Sequence, residues 1–529
     1  MAILLALAGL LFFSLGFSLY GRFIEGLFVE DFSSPTPANE LKDGVDFYPA
    51  KWFVLFGHHF SSIAGAAPII GPVLAISMWG WVAPYWWVVL GSVFLGGFHD
   101  FGALVVSMRS KARSIGAISE EVISKRAKLV FSVFLLLALI LIVAVFAFFA
   151  AKTFIVSKEA VVPSLGLIPV AVLTGVLMYV RKWLLLPVTF IGVALLSFLL
   201  LVGKAFPVSI SGEHAMAAWI VLLLLYALFA SITPVQYLLQ PRDYLSSYLL
   251  FFGLIVGYIG IFASHPVIRL ESFVSSGKGP SNSSLFPFLF VTIACGAISG
   301  FHSLVSSGTT AKQISHYKDA RKVAYGGMLA EGALALLTVL AISSAYADVS
   351  SLAQAIKTQG PINAFADAYL FITRPVLGQW GKAFAVIMLN AFILTTLDTA
   401  TRLGRYIAQE LLPIRDRFLS ALVIILPAMF LAITGSYQAL WPVFGSANQL
   451  IAAIVLLVLA SFLSKNGKNS SIAMAFSGFM FLVTISALYI GAVKYVSTGS
   501  WILFFLSLSL MALSIVLIFE YVRNVIWKK

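Results

Sequence analysis

The chain is dominated by apolar runs of about twenty residues, the length that crosses the hydrocarbon core of a membrane as one α-helix. About fifteen such runs alternate with short polar loops, which predicts an all-α polytopic membrane protein. We expect residues 346–381, a long connection, to hold a re-entrant or surface helix. The predicted runs lie near 1–20, 53–78, 84–107, 129–156, 165–181, 183–203, 216–239, 246–264, 286–308, 323–345, 382–403, 417–434, 441–463, 472–493 and 499–523.

Composition supports the same fold class, because 60% of the 529 residues are hydrophobic and only 10% are charged. A net charge of +13 could indicate nucleic-acid binding in a soluble protein, but here the basic residues are spread over short loops. The single cysteine, Cys295, excludes an intramolecular disulfide and a two-cysteine metal motif, and we interpret it as a packing residue. We expect the first twenty residues to be a retained helix, since no basic residue precedes Arg22.

The distribution of basic residues predicts the orientation of the chain. Placing the N-terminus outside and the C-terminus in the cytoplasm puts 25 of the 34 Lys and Arg residues on the cytoplasmic side. The opposite orientation would leave outside the cluster Arg109, Lys111, Arg113, Lys125, Arg126 and Lys128. The acidic segment 21–52 would also be cytoplasmic, but acidic residues count little in this rule.

Two polar interruptions of apolar runs resemble each other. One extends over residues 56–72 and contains His59-Phe-Ser-Ser-Ile-Ala-Gly65. The other extends over residues 292–310 and contains His302-Ser-Leu-Val-Ser-Ser-Gly308, and a weaker pair, 96–104 and 326–334, follows them. The interruptions lie in the second and ninth runs, seven crossings apart, so the two copies cross the membrane in opposite directions. Paired interruptions in an inverted repeat are typical of secondary transporters, whose sites lie where discontinuous helices meet.

The first interruption combines Pro68 and Pro72 with three glycines, which removes backbone hydrogen bonds that a lipid-facing helix must keep. We therefore predict a broken helix whose freed N–H groups could receive a carboxylate. A proline kink with glycines for close packing is the alternative. The second interruption has no proline, and small-residue helix packing is its alternative, but His302 in its middle favours a functional role.

Ionisable residues inside the predicted spans are expensive in a membrane and often carry protons. They are His58, His59, His99, Asp100, His302, Glu331 and Asp398. For each of them a structural hydrogen bond is an open alternative. We predict no metal at the histidines, because adjacent residues such as His58 and His59 diverge by about 100° on a helix.

Three further polar segments are informative. Thr395, Thr396 and Asp398 could bind sodium or carry a proton, although an Asp398–Arg402 pair one turn apart explains the aspartate equally well. Asn448 belongs to a polar knot inside the run 441–463 and needs a partner or a ligand. Residues 240–245, Gln-Pro-Arg-Asp-Tyr-Leu, are predicted to form a structural turn at the cytoplasmic boundary.

These observations give two sets of candidate site residues and no catalytic residues. The predicted substrate-binding residues are His59, Ser61, Ser62, Gly65, Gly300, His302, Ser306 and Asn448. The predicted residues for proton or cation coupling are His58, His99, Asp100, Glu331, Thr395, Thr396 and Asp398.

Five strings of the sequence are distinctive. They are residues 59–65 with Pro68 and 71–72, residues 239–245, residues 285–296, residues 299–310, and residues 440–445 with 448–449. Together they resemble the carbon starvation protein A family of peptide and pyruvate transporters. The resemblance implies a LeuT-like core of two inverted five-helix repeats with extra helices, related to the amino acid–polyamine–cation superfamily. On this basis we expect the first repeat at residues 53–203 and the second repeat at residues 286–463. Residues 1–52 would form an extra helix and an acidic loop, residues 204–285 extra helices and a linker, and residues 464–529 further extra helices.

The function implied is secondary active uptake of peptides or pyruvate-like carboxylates, coupled to protons by alternating access. A sodium-coupled carrier of the same substrates is the alternative, and an intramembrane metal-dependent enzyme or a channel is less favoured. The partners expected are the small-molecule substrate, a proton or sodium ion and the bilayer of the inner, plasma membrane, with no cofactor and no nucleic acid.

Overall fold

The structure, a computed structural model, describes residues 1–43, 47–181, 183–234, 237–274, 284–435 and 437–527. Nearly all of this part of the chain is helical, and its only β-type pairing is an isolated bridge between Ala50 and Ile314. Helices are the expected solution, because each one satisfies its own backbone hydrogen bonds where no water is present.

In the described residues, thirteen α-helices precede the predicted run 286–308. They are α1 Ala2–Leu15, α2 Gly21–Phe28, α3 Pro37–Glu40, α4 Trp52–Ala64, α5 Ala67–Trp79, α6 Val82–Leu90, α7 Gly97–Arg109, α8 Ile115–Val122, α9 Lys125–Val156, α10 Val161–Gly175, α11 Leu185–Ala205, α12 Ala215–Ile232 and α13 Leu239–Ser264. Short π-helical turns join α1 to α2 and α6 to α7, so each of these pairs forms one long segment.

Nine helices follow. They are α14 Leu285–Thr292, α15 Gly300–Gly308, α16 Gly326–Ala345, α17 Val349–Leu377, α18 Trp380–Leu411, α19 Arg417–Thr434, α20 Tyr437–Lys465, α21 Ser471–Ser497 and α22 Trp501–Tyr521.

The predicted spans agree closely with these helices. In the described ranges, fourteen helical segments are long and apolar enough to cross a membrane, and they coincide with fourteen of the predicted runs. The remaining run, 286–308, forms the short helices α14 and α15 on either side of a non-helical link at 293–299. The predicted interruption 292–310 therefore contains a break, which lies before His302, and its stretch 302–308 is helical.

The segment 346–381 does contain a helix, α17, which is not among the fourteen apolar segments. Its two arms meet at Gly360, whose φ of +83° is helix-breaking, and Pro361 begins the second arm. Asp348 caps its first turn by accepting a hydrogen bond from the backbone N–H of Ser351. The helix packs against α5, α13, α16 and α18, so it covers the bundle instead of crossing it as a separate apolar span.

Burial separates core helices from peripheral ones. The apolar stretch of α20 is fully buried and that of the α4–α5 segment is 94% buried, whereas those of α1–α2 and α22 are only 28% buried. Leu4, Leu7 and Leu11 on α1 are exposed, and in a membrane such apolar faces contact lipid.

The long helices α9 and α18 pack along each other through the centre of the bundle. Around them, α12 contacts α9, α18 and α19, while α13 contacts α4, α17 and α18. Helix α20 contacts α9, α14 and α15. Helices α10 and α11 pack mainly on each other, as a hairpin at the edge of the core.

Candidate functional site

The two interruptions lie against each other in the core. Gly65 separates α4 from α5 with a φ of +51°, and Gly296, in the link between α14 and α15, has a φ of +89°. Glycine suits both positions because residues with a Cβ atom rarely adopt a positive φ. A Cβ atom on Gly71 would lie 2.6 Å from the backbone oxygen of Thr292, so the broken helices are in close contact.

The break at Gly65 faces an unpaired hydroxyl group. A Cβ atom on Gly65 would lie 2.8 Å from Oγ1 of Thr396 on α18 and 3.5 Å from the ring of Phe146 on α9. Thr396 is buried, and its hydroxyl has no hydrogen-bond partner among the described residues. Helix α5 begins beside it without a side-chain cap. Of its first four residues, Pro68 has no N–H and those of Ile69 and Ile70 donate to the backbone oxygen of Ala66, which leaves the N–H of Ala67 at the break. This place, which we name the central break, can receive an anionic or polar group.

An aromatic wall borders the central break. The ring centroid of Phe146 lies 5.9 Å from that of Phe444, and the centroid of Trp441 lies 5.1 Å from Phe444 and 5.6 Å from Phe149. These rings come from α9 and α20. They give the region beside the polar break an apolar side, the mixture that small-molecule sites commonly show.

Four of the predicted ionisable residues form one buried group, the histidine–carboxylate cluster, on α7, α15 and α16. Nδ1 of His302 lies 2.7 Å from one carboxylate oxygen of Asp100, and Nε2 of His302 lies 3.0 Å from Glu331. Nδ1 of His99 lies 2.7 Å from the other oxygen of Asp100. The sequence analysis predicted these residues as coupling or substrate groups, and the fold brings all four together.

Asn448 and Gly300 lie where α15 packs on α20. The side-chain oxygen of Asn448 accepts a hydrogen bond from the backbone N–H of Phe301 at 2.9 Å, and its nitrogen donates to Ser299 at 3.0 Å. Asn448 thus caps the first turn of α15 from another helix. A Cβ atom on Gly300 would lie 2.3 Å from the backbone oxygen of Asn448. Both residues are engaged in packing, and their predicted contact with substrate stays a prediction.

A second buried group, the α13 charge cluster, consists of His58, Tyr226, Arg242, Asp243 and Asp398. Arg242 forms an ion pair with Asp398, and the hydroxyl of Tyr226 donates to Asp398 at 2.5 Å. Nδ1 of His58 lies 2.8 Å from Asp243, and both of these side chains are buried. The cluster joins α4, α12, α13 and α18.

Sequence reasoning missed three members of the α13 charge cluster. The segment 240–245 was predicted as a turn, which is wrong, because it forms the first turns of α13 with Arg242 fully buried. The alternative pairing of Asp398 with Arg402 is also wrong. Arg402 donates instead to the backbone oxygens of Ala230 and Thr233. The sequence signal that could have identified the cluster is the adjacent pair Arg242 and Asp243, which lies between two apolar runs.

The remaining predicted residues surround these groups. Ser61 donates to the backbone oxygen of Asp243 and Ser62 to its carboxylate, both at 3.1 Å. Nδ1 of His59 lies 2.9 Å from the hydroxyl of Thr310. The hydroxyl of Thr395 donates within its own helix to Ala391.

A cavity of about 580 Å³ adjoins the end of α15. Ser307 and Gly308 line it, close to Ser306, whose buried hydroxyl lacks a hydrogen-bond partner in the described ranges. The charged residues around it are Lys111, Arg113, Lys312 and Glu410. A mostly basic cavity next to a broken helix suits the passage of an anion.

Comparison with solved structures supports the fold. The structure of MhsT in complex with L-phenylalanine aligns with a TM-score of 0.50 at 14% identity, covering 89% of this chain and 99% of that one. A manganese transporter from Eremococcus coleocola aligns with a TM-score of 0.53 at 13% identity, covering 92% and 99%. At such identities the likeness concerns the fold alone, which is that of the LeuT-like transporters.

Sequence comparison identifies the family. The sequence model of the family described as carbon starvation protein CstA matches residues 1–368 and 344–487. The peptide transporter CstA of Helicobacter pylori strain J99 is 33% identical, over 88% of this chain and 78% of its own. The pyruvate/proton symporter BtsT of Escherichia coli K12 is 30% identical, over 80% and 72%. The chain therefore belongs to the carbon starvation protein CstA family and is a multi-pass membrane transporter, not an enzyme.

Proposed function

We propose that the protein takes up a small carboxylate-bearing nutrient, pyruvate-like or a short peptide, together with a proton. The main support for this class of substrate is the central break, where the unpaired hydroxyl of Thr396 faces the uncapped start of α5. Backbone N–H groups at a helix start attract a carboxylate, and a hydroxyl can donate to it. The printed names of the relatives, peptide transporter and pyruvate/proton symporter, favour the same class.

Gly65 and Thr396 are the residues that we place closest to the substrate carboxylate, with the aromatic wall on the apolar side of the substrate. His59, Ser61, Ser62 and Ser306 lie on the same broken helices, and we propose that they line the path on either side of the break. A site shared by α5, α9 and α18 can close when these helices move relative to each other, as alternating access requires.

The α13 charge cluster is our candidate for proton coupling. His58 and Asp243 lie 2.8 Å apart, and this pair can hold or release one proton without leaving the core. Sodium binding by the predicted Thr395, Thr396 and Asp398 is less well supported. The hydroxyl of Thr395 is bonded within α18, and Arg242 already supplies a positive charge to Asp398. His99, Asp100 and Glu331 belong to the other cluster, whose geometry fits a different role.

We also propose a boundary between the repeats that differs from the sequence expectation of 53–203 and 286–463. Helix α12 packs on α9 and α18 in the way that α19 does. Helix α13 contacts the first broken helix and α18, as α20 contacts the second broken helix and α9. The first repeat then consists of α4–α5, α6–α7, α9, α12 and α13, with the α10–α11 hairpin inserted. The second consists of α14–α15, α16, α18, α19 and α20.

The proposal is tested with purified protein in liposomes. We expect labelled pyruvate or a labelled peptide to accumulate under an inward proton gradient, and uptake to be unchanged when potassium replaces sodium. Loss of uptake without sodium would contradict proton coupling. No accumulation of either substrate class, from correctly folded protein, would contradict the substrate assignment.

A pair of threonine variants tests the central break. Thr396→Val removes the unpaired hydroxyl, and we expect uptake to fall at least tenfold, which corresponds to about 1.4 kcal/mol. Thr401→Val is the matched control, because Thr401 is equally buried on α18 but its hydroxyl is bonded to Leu397 in the same helix. Equal uptake by both variants would move the substrate site elsewhere.

A further inference from the structure

Three potential metal ligands converge beside the second broken helix. The sulfur of Cys295, a ring nitrogen of His302 and a carboxylate oxygen of Glu331 all lie within 4.8 Å of one another. Cys295 belongs to the non-helical link, His302 to α15 and Glu331 to α16, and all three side chains are buried. The sequence analysis predicted no metal at the histidines and interpreted Cys295 as a packing residue.

These three side chains contact one another, and the sulfur of Cys295 also donates to Ser299 at 3.3 Å and accepts from Asn448 at 3.5 Å. Nε2 of His302 lies 3.0 Å from a carboxylate oxygen of Glu331, the distance of an ion pair. Neither Nε2 nor the two oxygens of Glu331 makes a well-formed hydrogen bond in the described part of the chain. Buried polar atoms without partners are costly, and an ion bound between them would remove the cost. Two ligands about 2.1 Å from a tetrahedral ion lie about 3.4 Å apart. The atoms of His302 and Glu331 are 3.0 Å apart and all three ligand atoms lie within 4.8 Å of one another, so small shifts of the side chains would bring them to ligand distances.

The other side of the imidazole is arranged as metal sites usually require. Nδ1 of His302 lies 2.7 Å from Asp100, whose second oxygen lies 2.7 Å from Nδ1 of His99. A carboxylate that accepts the Nδ1 proton fixes the ring tautomer and leaves the lone pair on Nε2 free to bind a cation. Asp100 thus orients His302, and His99 orients Asp100.

The donor types indicate the class of ion. A thiolate and an imidazole favour zinc and similar transition metals, while magnesium and calcium prefer oxygen donors alone. The two carboxylates of this buried group also require positive charge nearby. We propose that Cys295, His302 and Glu331 bind a resident divalent transition-metal ion, best matched to zinc, which ties the link of the second broken helix to α16. This inference is independent of the substrate proposed for the central break.

The test is metal analysis of the full-length protein purified without chelators and incubated with zinc. We expect about one tightly bound zinc per chain in the wild type, and less than a tenth of that in Cys295→Ser and Glu331→Gln, because three-ligand sites tolerate the loss of a ligand poorly. Glu520→Gln and His265→Ala are the controls. Glu520 is a buried carboxylate hydrogen-bonded to Ser124, and His265 lies outside the predicted site. Both controls should keep the zinc.

Cobalt substitution gives a second readout that does not depend on transport. Cobalt-loaded wild type should show a thiolate-to-cobalt charge-transfer absorption that disappears in Cys295→Ser, provided that both proteins elute as folded, monodisperse species. A wild type without stoichiometric zinc and without the cobalt absorption would overturn the proposal. Zinc retained equally by both ligand variants would also overturn it, because the ion would then be bound elsewhere.

Discussion

At the scale of single residues, the core carries more ionisable groups than an apolar bundle would tolerate unless they were paired. Arg242 and Asp398 are fully buried and face each other, with Tyr226 donating to the same carboxylate. Burying two charges costs much of what their attraction returns, so such a pair contributes little net stability. Removing one partner alone, however, leaves an uncompensated charge in the core.

This asymmetry predicts the behaviour of three variants. Arg242→Leu should destabilise the protein by about 3–5 kcal/mol, because Asp398 is left unpaired. The double variant Arg242→Leu with Asp398→Leu should recover most of that loss while remaining inactive in uptake. Thermal unfolding of detergent-purified protein and uptake into liposomes provide the two measurements.

An exposed ion pair serves as the control for these variants. Lys382 and Asp367 lie 2.6 Å apart but are about 40% exposed, so Lys382→Leu should change stability by no more than about 1 kcal/mol. If Arg242→Leu unfolds at the wild-type temperature, the buried pair does not have the energetic role assigned to it.

Sequence reasoning identified most of the ionisable residues in the core but not their partners. The chemical cost of charge in a membrane was enough to single out His58, Asp100, His302, Glu331 and Asp398. Which of them meet depends on contacts between helices far apart in sequence, such as His302 with Asp100, and no periodicity contains that information. Arg242 was missed because Pro241 suggested a turn, whereas proline is tolerated in the first turn of a helix.

At the scale of helices, the breaks depend on very close packing. A Cβ atom on Gly300 would lie 2.3 Å from the backbone oxygen of Asn448 and 2.6 Å from the backbone nitrogen of Ala452. Neither backbone atom can rotate away, so any larger side chain must push α15 from α20. The hydrogen bond from Phe301 to Asn448 would then lengthen or break.

We expect Gly300→Ala to lower the unfolding temperature and to abolish uptake, because α15 loses both its packing and its cap. Gly478→Ala is the matched control on α21, where nothing lies within 4 Å of the added carbon. Alanine favours a helix over glycine by up to about 1 kcal/mol, so this control should be neutral or slightly stabilising. Two variants of equal stability and activity would contradict the packing described for α15.

The helices themselves were the most predictable part of the fold, because length and hydropathy alone define a membrane span. The alternatives for the first interruption could not be separated by sequence, since a kink and a break both use proline and glycine. The structure contains a break at Gly65, while Pro68 and Pro72 lie within α5. The exact residue of the break depends on tertiary contacts with Thr396 and Phe146.

At the scale of the whole molecule, the number of membrane crossings between two loops determines whether they lie on the same side. An even number places them on the same side and an odd number on opposite sides. The basic loops favour an outside N-terminus, and under that orientation the loop at 466–470 is cytoplasmic and the loop at 498–500 is external.

Single cysteines introduced at exposed loop positions test this orientation. We expect a membrane-impermeant maleimide to label Thr498→Cys in intact cells, and Asn469→Cys only after the cells are opened. The wild type should remain unlabelled, since its only cysteine, Cys295, is buried. The reverse labelling pattern would show that the protein has the opposite orientation.

The buried Arg242–Asp398 pair has a consequence for the energy source of transport. Because its two charges offset each other, the pair adds no net charge when the binding site changes sides. A monocarboxylate anion that travels with one proton is also neutral, so the membrane potential, worth about 2.3 kcal/mol per charge at 100 mV, does no work on the cycle. Uptake of pyruvate should then follow the pH difference alone. Clamping the potential of the liposomes with valinomycin and potassium should leave the final accumulation ratio unchanged, and a ratio that rises with a negative interior would show that more than one proton accompanies each substrate.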